Sequence, residues 1–336
     1  MYREVSGELV VYRFESLPTE SLAHAVFTRL GGTSQPPFAT LNVGSNVGDD
    51  PAAVAENHAR IYARMEISAG RVVTGHQVHG NQVAMVADED GGRRLSATDG
   101  LVTAVPGLCL MLRFADCQPI LLLDPARHAL GLIHAGWRGL AQGVAHRAVE
   151  AMRRAFGTEP HDLIAGLGPA IGPCCYLVGD NVATAMGYAL PNWRLALKQE
   201  GTHWRFDLPA ANAQQLAAAG VTKIEQAGIC TSCHKDEFYS HRAENGRTGR
   251  FAVLAYLRPE ASLPGKQPSR SAQTSPVPGE TREPGSLHPS GLPPFLSDLP
   301  APVRDDNEMK APPPEDGTEL PRVMSLASVQ KLESLK

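Results

Sequence analysis

The sequence has no apolar run long enough to cross a membrane, and its start lacks the apolar core of a signal peptide. A membrane-spanning helix needs about 20 consecutive, mostly apolar residues. Charged residues are scattered through the first 18 residues, MYREVSGELVVYRFESLP. We therefore expect a cytoplasmic protein without a membrane partner.

The sequence also has few cysteines and a small net charge. Six cysteines in 336 residues indicate free thiols or metal ligands rather than a disulfide framework. A formal net charge of −4 and a pI near 6.3 argue against a nucleic-acid-binding protein, whose domain would be basic. The balance fits an enzyme that acts on small molecules.

Aromatic residues almost vanish after Leu257, and Phe295 is the only one from residue 260 onward. The same stretch holds 14 of the 27 prolines. Such a composition cannot bury enough apolar surface to offset the entropy lost on ordering. We predict a folded domain over residues 1–258 and a disordered Pro-rich tail over 259–336, which could bind an unknown protein.

Apolar runs of strand length alternate with helical spacing in the first 258 residues, which predicts a mixed α+β fold. Strands are predicted at 108–114, 120–123, 129–134 and 163–167, and helices at 139–156 and 208–219. Asn245-Gly246 between two strand-like runs, 238–242 and 250–256, predicts a β-hairpin.

Histidine and cysteine stand next to strand ends or Gly-rich turns at three places. These are Gln77-Val78-His79-Gly80, Ala115-Asp116-Cys117 and His134-Ala135-Gly136-Trp137-Arg138-Gly139. A catalytic zinc ion takes three such ligands and keeps a fourth position open. The ligands are 38 and 17 residues apart, which is no standard local pattern, so a buried thiol and backbone-bonded histidines remain an alternative.

Six motifs in order carry a family resemblance. Besides the three motifs above, they are Phe27-Thr28-Arg29-Leu30-Gly31-Gly32-Thr33-Ser34, Gly168-Pro169-Ala170-Ile171-Gly172-Pro173 and Phe238-Tyr239-Ser240-His241-Arg242. Over about residues 20–257 the chain resembles the laccase-domain family, also called multicopper polyphenol oxidoreductase-like proteins.

The resemblance implies a metal site, a fold and an activity. It makes His79, Cys117 and His134 the ligands of a zinc ion, in a compact sandwich of mixed sheets flanked by helices. It also implies phosphorolysis of purine nucleosides (adenosine, inosine, guanosine and methylthioadenosine) and deamination of adenosine.

Deamination requires an activated water that attacks C6 of adenine and a proton shuttle that is not a metal ligand. His76, three residues before His79, and Asp116, beside Cys117, are the candidates. Neighbouring residues of an extended segment point to opposite faces, which counts against Asp116.

Phosphorolysis requires an anion site. The segment 136–139 is expected to open the long helix, where free N–H groups favour phosphate, and Arg138 could add a bidentate contact. Arg29 is a second candidate for phosphate. Asn42 is a further candidate substrate contact, although asparagine in such a loop also caps turns.

Other chemistries compete with this interpretation. No two of the 12 histidines are separated by a single residue, so the paired imidazoles of a multicopper oxidase are missing, although copper could occupy the three-ligand site. A copper-dependent polyphenol oxidase remains an alternative. So does a metal-free thiol hydrolase or amidase acting on a cell-wall precursor, with Cys117 as nucleophile and His134 or His79 as base.

The segment Cys230-Thr231-Ser232-Cys233-His234 matches the haem-attachment pattern, and its Cys-x-x-Cys also suits a redox pair or half of a zinc site. Adjacent Cys174 and Cys175 look like a poor second half. The preferred interpretation is structural thiols, followed by a redox pair and then haem.

Overall fold

The computed structural model describes residues 1–259 of the 336-residue chain. The predicted disordered tail, 259–336, lies outside the described residues except for Pro259. Both the tail and the domain boundary at residue 258 stay predictions.

The described part of the chain contains both strands and α-helices. The strands are β1 (Tyr2–Ser6), β2 (Leu9–Arg13), β3 (Leu22–Phe27), β4 (Val72–Gly75), β5 (Val83–Met85), β6 (Arg94–Leu95), β7 (Gly100–Thr103), β8 (Cys109–Phe114), β9 (Gln118–Asp124), β10 (Ala129–Ala135), β11 (Ile164–Leu167), β12 (Leu177–Val178), β13 (Leu197–Glu200), β14 (His203–Phe206), β15 (Lys223–Gln226) and β16 (Phe251–Leu257). The α-helices are α1 (Pro51–Arg64), α2 (Trp137–Ala141), α3 (Val144–Phe156), α4 (Asp180–Ala189) and α5 (Leu208–Ala218).

Two large sheets and one small sheet organise these strands. The first has the order β1-β2-β3-β16-β8-β4-β6, the second β15-β11-β9-β10-β7-β5, and the small one β12-β14-β13. Both large sheets mix directions: β4 runs parallel to β8 but β16 antiparallel to it, and β5 runs parallel to β7 but β9 antiparallel to β10. The predicted strands correspond to β8–β11, and the mixed α/β sandwich is confirmed.

Residues of the central strands alternate between two dry faces, which explains why these strands appear as unbroken apolar runs. In β8, Leu110 and Leu112 belong to the core between the two large sheets. Cys109 and Met111 point the other way and pack with Ile61 of α1. Strands β9 and β10 likewise contribute one face to the central core and the other to the layer under α3 and α5. Each fully buried leucine stabilises this arrangement by about 1.5–3 kcal/mol.

The helix predicted at 139–156 is two helices. Gly143 between α2 and α3 has φ 77°, a left-handed conformation that glycine adopts without steric cost and that interrupts the helical hydrogen bonds. Leu140 and Val144 consequently pack into different clusters. The expectation that residues 136–139 open the long helix is therefore wrong, because Gly136 caps the five-residue α2.

The hairpin predicted around Asn245-Gly246 is also wrong. Both residues do lie in a turn, with φ 51° and 80°, but residues 238–242 form no strand. Strand β16 pairs instead with β3 on one side and β8 on the other. Both of its edges are thereby occupied, and no edge is left for a hairpin partner.

None of the helices between residues 1 and 259 combines the length and the apolar character that a membrane crossing requires.

Candidate metal site

Three donor residues that are distant in the chain meet at one place. The ligand atoms of His79, Cys117 and His134 all lie within 4.8 Å of one another, and the two imidazole rings have centroids 5.0 Å apart. His134 is buried, Cys117 is half-buried and His79 is exposed. Two imidazoles and a thiolate suit zinc or copper, and the exposed side gives a ligand access. The donor set therefore fits a single transition-metal ion.

Strand ends position these donors. His134 is the second-to-last residue of β10, and its ring packs against Phe114, the last residue of β8, at 5.5 Å between centroids. Cys117 lies in the three-residue connection between β8 and β9, and His79 lies in the loop after β4. Because β4 and β8 belong to one large sheet and β9 and β10 to the other, the site lies where the ends of the two sheets meet.

Asp99 orients His134. Its carboxylate is fully buried, and Oδ1 lies 2.8 Å from Nδ1 of His134. In the neutral imidazole, Nδ1–H then donates to Asp99, which leaves the lone pair of Nε2 for a metal. The sheet supports the pair, since the N–H of His134 donates to the carbonyl of Asp99 at 2.7 Å.

Asp99 also holds the loop that carries His79. It accepts hydrogen bonds from the backbone N–H groups of Val78, His79 and Gly80 at 3.1, 3.0 and 2.9 Å. His79 has φ 58°, a left-handed conformation that costs a non-glycine residue about 1–3 kcal/mol. Burial disfavours the ionised carboxyl, but the hydrogen bonds from His134 and from the backbone outweigh it and lower the pKa of Asp99. One carboxylate thus fixes two of the three donors.

Two glycines allow the donors to approach each other. A Cβ on Gly136 would lie 2.7 Å from Sγ of Cys117 and 3.4 Å from the ring of His79. A Cβ on Gly139 would lie 2.8 Å from the carbonyl of Gly80. The His-Ala-Gly-Trp-Arg-Gly motif therefore supplies one donor and also the space for the other two.

The electrostatics of the donors favour an ionised thiol. Burial opposes ionisation of Cys117, but His134 and His79 more than compensate and lower its pKa to about 6. Burial also opposes protonation of His134, which the Cys117 thiolate and Asp99 outweigh, so its pKa rises to about 9. These shifts favour a thiolate–imidazolium pair, and a metal cation would take the place of the proton.

Asp116 lies beside Cys117 in a left-handed conformation with φ 83°. Its Oδ1 accepts from the hydroxyl of Thr231 at 2.7 Å, and Oδ2 accepts from the backbone N–H of Arg242 at 2.6 Å. Its carbonyl accepts from the N–H of Ile171 at 2.9 Å. Asp116 therefore ties three chain segments to the connection that presents Cys117, and its role as a proton shuttle stays a prediction.

Arginines contribute positive charge next to the donors. The guanidinium of Arg138 lies over the ring of Trp137 at 4.7 Å, and that of Arg242 over Tyr176 at 5.1 Å. Burial raises the pKa of Tyr176, whose hydroxyl also experiences the charges of Cys117, Arg242 and Arg138. Both arginines and the negative charges of Cys117 and Asp116 therefore act on one side chain, and we call the surroundings of these arginines the cationic region.

Arg250 completes this cationic region. Burial lowers its pKa, while the charges of Cys117 and Asp116 act in the opposite direction. Its guanidinium donates to the carbonyls of Thr248 and Gly249 at 3.0 and 2.9 Å, which fixes its position.

The structure places Arg29 in a different environment. Its guanidinium donates to the carbonyls of Ala39 and Lys235, pairs with Glu244 at 3.0 Å and lies over Tyr239 at 4.5 Å. It lines an open cavity of about 520 Å³ together with Pro36, Pro37, Ala39, Glu244 and Arg247. A role of Arg29 in phosphate binding stays a prediction.

Asn42 and His76 are likewise untested as functional residues. Asn42 is fully buried; its amide donates to Gly44 and Asp49 and accepts from the N–H groups of Gly44 and Arg250. This arrangement favours a structural role. His76 follows β4 with an exposed side chain, three residues before His79.

Sequence reasoning missed Asp99, Arg242 and Arg250 as parts of the site. Asp99 forms an Asp-Gly pair just before β7, an ordinary turn signal that gives no hint of its contact with His134. Arg242 belongs to one of the six motifs, but the motif alone indicates no role for it. Arg250 directly precedes β16, where it looks like a charge at a strand end.

Comparisons with known proteins identify the family of this chain. Residues 23–258 match the family model "Multi-copper polyphenol oxidoreductase laccase". The chain is 39% identical over 244 residues to "Purine nucleoside phosphorylase YlmD" of Geobacillus stearothermophilus, covering 68% of this chain and 87% of that protein. It is 43% identical over 230 residues to a "Purine nucleoside phosphorylase" of Mycobacterium bovis, covering 68% and 90%.

Solved structures show the same fold. The crystal structure of YlmD from Geobacillus stearothermophilus matches with a TM-score of 0.73 at 36% identity, over 76% of this chain and 98% of that one. The crystal structure of the Bacillus licheniformis hypothetical protein YfiH gives 0.72 at 34% identity, over 75% and 97%. The chain therefore belongs to the laccase-domain family of multicopper polyphenol oxidoreductase-like proteins.

Proposed function

We propose that this protein is a zinc-dependent purine nucleoside phosphorylase that also deaminates adenosine. The observation that carries the proposal is the convergence of His79, Cys117 and His134, oriented by Asp99, in a chain whose relatives are named purine nucleoside phosphorylases. The substrates would be phosphate and adenosine, inosine, guanosine or methylthioadenosine. The cytoplasmic location stays a prediction from the sequence.

In phosphorolysis an oxygen of phosphate forms a bond to C1′ of the ribose while the C1′–N9 bond breaks. The purine leaves with the bonding electron pair and takes up a proton, and ribose 1-phosphate remains. The chain must hold an anion beside the sugar, and we assign this task to the cationic region around Arg138, Arg242 and Arg250. Charge-assisted hydrogen bonds from guanidinium groups suit phosphate.

The bound zinc would supply a Lewis acid that polarises the purine base and activates water for deamination. The chain contributes the geometry: Asp99 fixes the ring of His134 and the loop of His79, and Asp116 fixes the connection that carries Cys117. Copper also suits the donor set, so the bound metal must be measured.

The basic experiment combines metal analysis with product analysis. The purified full-length protein is assayed for bound zinc and copper, then incubated with inosine or adenosine with and without phosphate. We expect the purified protein to contain zinc. Free base and ribose 1-phosphate should form only when phosphate is present, and adenosine should also be converted to inosine. Free base released equally without phosphate would exclude phosphorolysis.

Arginine variants test the phosphate site. Removing one charge-assisted contact costs about 1.5–3 kcal/mol, so Arg138→Ala and Arg242→Gln should each raise the KM for phosphate by about tenfold or more. Arg29→Gln serves as the comparison, because Arg29 is the other candidate for binding phosphate. If only Arg29→Gln raises this KM, the assignment to the cationic region is wrong.

The lowered pKa of Cys117 beside His134 also favours a second candidate, a thiol hydrolase or amidase in which Cys117 attacks a carbonyl and His134 takes the proton. This route needs no metal. Alkylation of Cys117 by iodoacetamide and full activity after complete chelation would support it. Loss of nucleoside turnover on chelation, restored by zinc, would support the phosphorylase.

A further inference from the structure

Four cysteines outside the candidate metal site form a second cluster, which we call the thiol cluster: Cys174, Cys175, Cys230 and Cys233. Their sulfur atoms all lie within 4.8 Å of one another, and all four are free thiols. The interpretation of Cys174 and Cys175 as a poor second half of a zinc site therefore does not fit the fold, which places both pairs together.

Two turns build the thiol cluster. Cys174 and Cys175 lie in the loop between β11 and β12, and Cys230 and Cys233 lie in the turn after β15. An isolated β-bridge between Ala170 and Cys230 joins the two segments, supported by a hydrogen bond from the N–H of Thr231 to the carbonyl of Ala170 at 3.1 Å. The arrangement is thus fixed by the backbone as well as by the side chains.

The sulfur–sulfur distances suit a metal cage better than a disulfide. Sγ of Cys233 lies 3.5 Å from that of Cys174 and 3.4 Å from that of Cys175. A disulfide requires about 2.05 Å, and Cys233 has no preferred partner. Four thiolates at about 2.3 Å from a tetrahedral zinc ion would be about 3.8 Å apart.

The surroundings suit a negatively charged metal–thiolate centre. The backbone N–H of Gly172 donates to Sγ of Cys230 at 3.2 Å, a contact that stabilises a thiolate. The guanidinium of Arg205 donates to the carbonyls of Pro173 and Cys174 at 2.8 and 3.0 Å. Arg205 also pairs with Glu200 at 2.5 Å, so it holds the loop that carries Cys174 in place and adds no net charge beside the four thiolates.

We propose that the thiol cluster binds a second zinc ion as a structural tetrathiolate centre, separate from the site at His79, Cys117 and His134. Binding releases the four thiol protons and links the loop between β11 and β12 to the turn after β15 through the metal.

This structural centre would stabilise the neighbouring site. Thr231, between two of the cysteines, donates to Asp116, and Ile171 donates to the carbonyl of the same residue. The second zinc ion would therefore hold in place the residue next to Cys117.

Metal stoichiometry tests the proposal without any assay of activity. The full-length protein is loaded with zinc, freed of excess by gel filtration and analysed for metal. We expect two zinc ions per chain in the natural protein, one in Cys117→Ala and one in Cys233→Ser. Cys109→Ala is the matched control, because Cys109 is buried in the core under α1, and it should keep two.

Cobalt distinguishes the two sites. Cobalt-loaded Cys117→Ala should show the intense sulfur-to-metal charge-transfer bands of a tetrathiolate, and these bands should lose most of their intensity when Cys233→Ser is added to Cys117→Ala. Loss of all metal from Cys117→Ala would overturn the proposal, and so would a disulfide within the thiol cluster of the natural protein. These tests are made on Cys117→Ala and on the natural protein, so they do not depend on whether the variants of the thiol cluster fold. They also do not depend on nucleoside turnover.

Discussion

Replacement of Asp99 by asparagine is the most informative single change in the candidate metal site. The amide oxygen can still accept some of the hydrogen bonds that the carboxylate receives from His134, Val78, His79 and Gly80. The amide NH₂ group, however, is itself a donor and cannot accept the hydrogen bonds that the second carboxylate oxygen accepts. His134 would then be free to present the wrong tautomer, with its proton on the nitrogen that should bind the metal.

The expected losses of zinc affinity and of stability in Asp99→Asn follow from the hydrogen bonds that the carboxylate makes and the amide cannot make. Removing a hydrogen-bond partner of a metal-ligating histidine typically weakens metal binding by about 10–100-fold. The half-buried N–H groups left without an acceptor cost about a further 1 kcal/mol of stability, the lower end of the range for buried groups. We therefore expect Asp99→Asn to weaken zinc binding by roughly one to two orders of magnitude and to lower the urea midpoint of unfolding as well.

Competition with a chromogenic chelator measures the zinc dissociation constant directly. Asp90→Asn is the control, because Asp90 also accepts a backbone hydrogen bond, from Ala87 at 3.0 Å, but in a turn between β5 and β6. An unchanged dissociation constant in Asp99→Asn, or an equal loss in both variants, would refute the role given to Asp99.

Three further predictions concern positions around the site and in the core. Gly136→Ala should weaken zinc binding by about tenfold or more, measured with the same chelator, because the new Cβ would lie 2.7 Å from the sulfur of Cys117. Thr231→Val should destabilise the protein by about 1.5–3 kcal/mol in urea unfolding, because Asp116 loses a donor at 2.7 Å, whereas Thr231→Ser should not. His24 is buried, and burial, aided by Arg13, lowers its pKa to about 3. Between pH 6.5 and 3 the unfolded chain therefore binds the extra proton, so the free energy of unfolding should fall on acidification by up to about 1.4 kcal/mol per pH unit. His24→Gln should flatten this slope, and an identical pH profile would contradict the prediction.

Much of the fold could be predicted because β8, β9 and β10 are buried on both faces and therefore look like continuous apolar runs. The break at Gly143 could not, because the apolar spacing continues from Leu140 through Val144 although the two residues pack into different clusters. The hairpin at Asn245-Gly246 was mispredicted for a related reason. A turn signal is local, whereas the pairing of β16 with β3 and β8 is decided by residues far away in the chain.

The candidate site, too, could be predicted only in part from the sequence. Spacing alone left the three donors undecided, and only the family resemblance joined them. The contacts of Asp99 and of the thiol cluster could not be predicted from the sequence, because 35 residues separate Asp99 from His134 and 58 separate Cys175 from Cys233. Contacts of that range are properties of the folded sandwich rather than of any local motif.

The central claim is that one metal ion is shared by His79, Cys117 and His134. A crystal structure of the zinc-loaded protein, with anomalous data collected at the zinc edge, tests it most directly. We expect a peak about 2.3 Å from the sulfur of Cys117 and about 2.0–2.1 Å from one nitrogen of each histidine, with His134 still bonded to Asp99. A fully loaded crystal with no peak between these three residues would contradict the account.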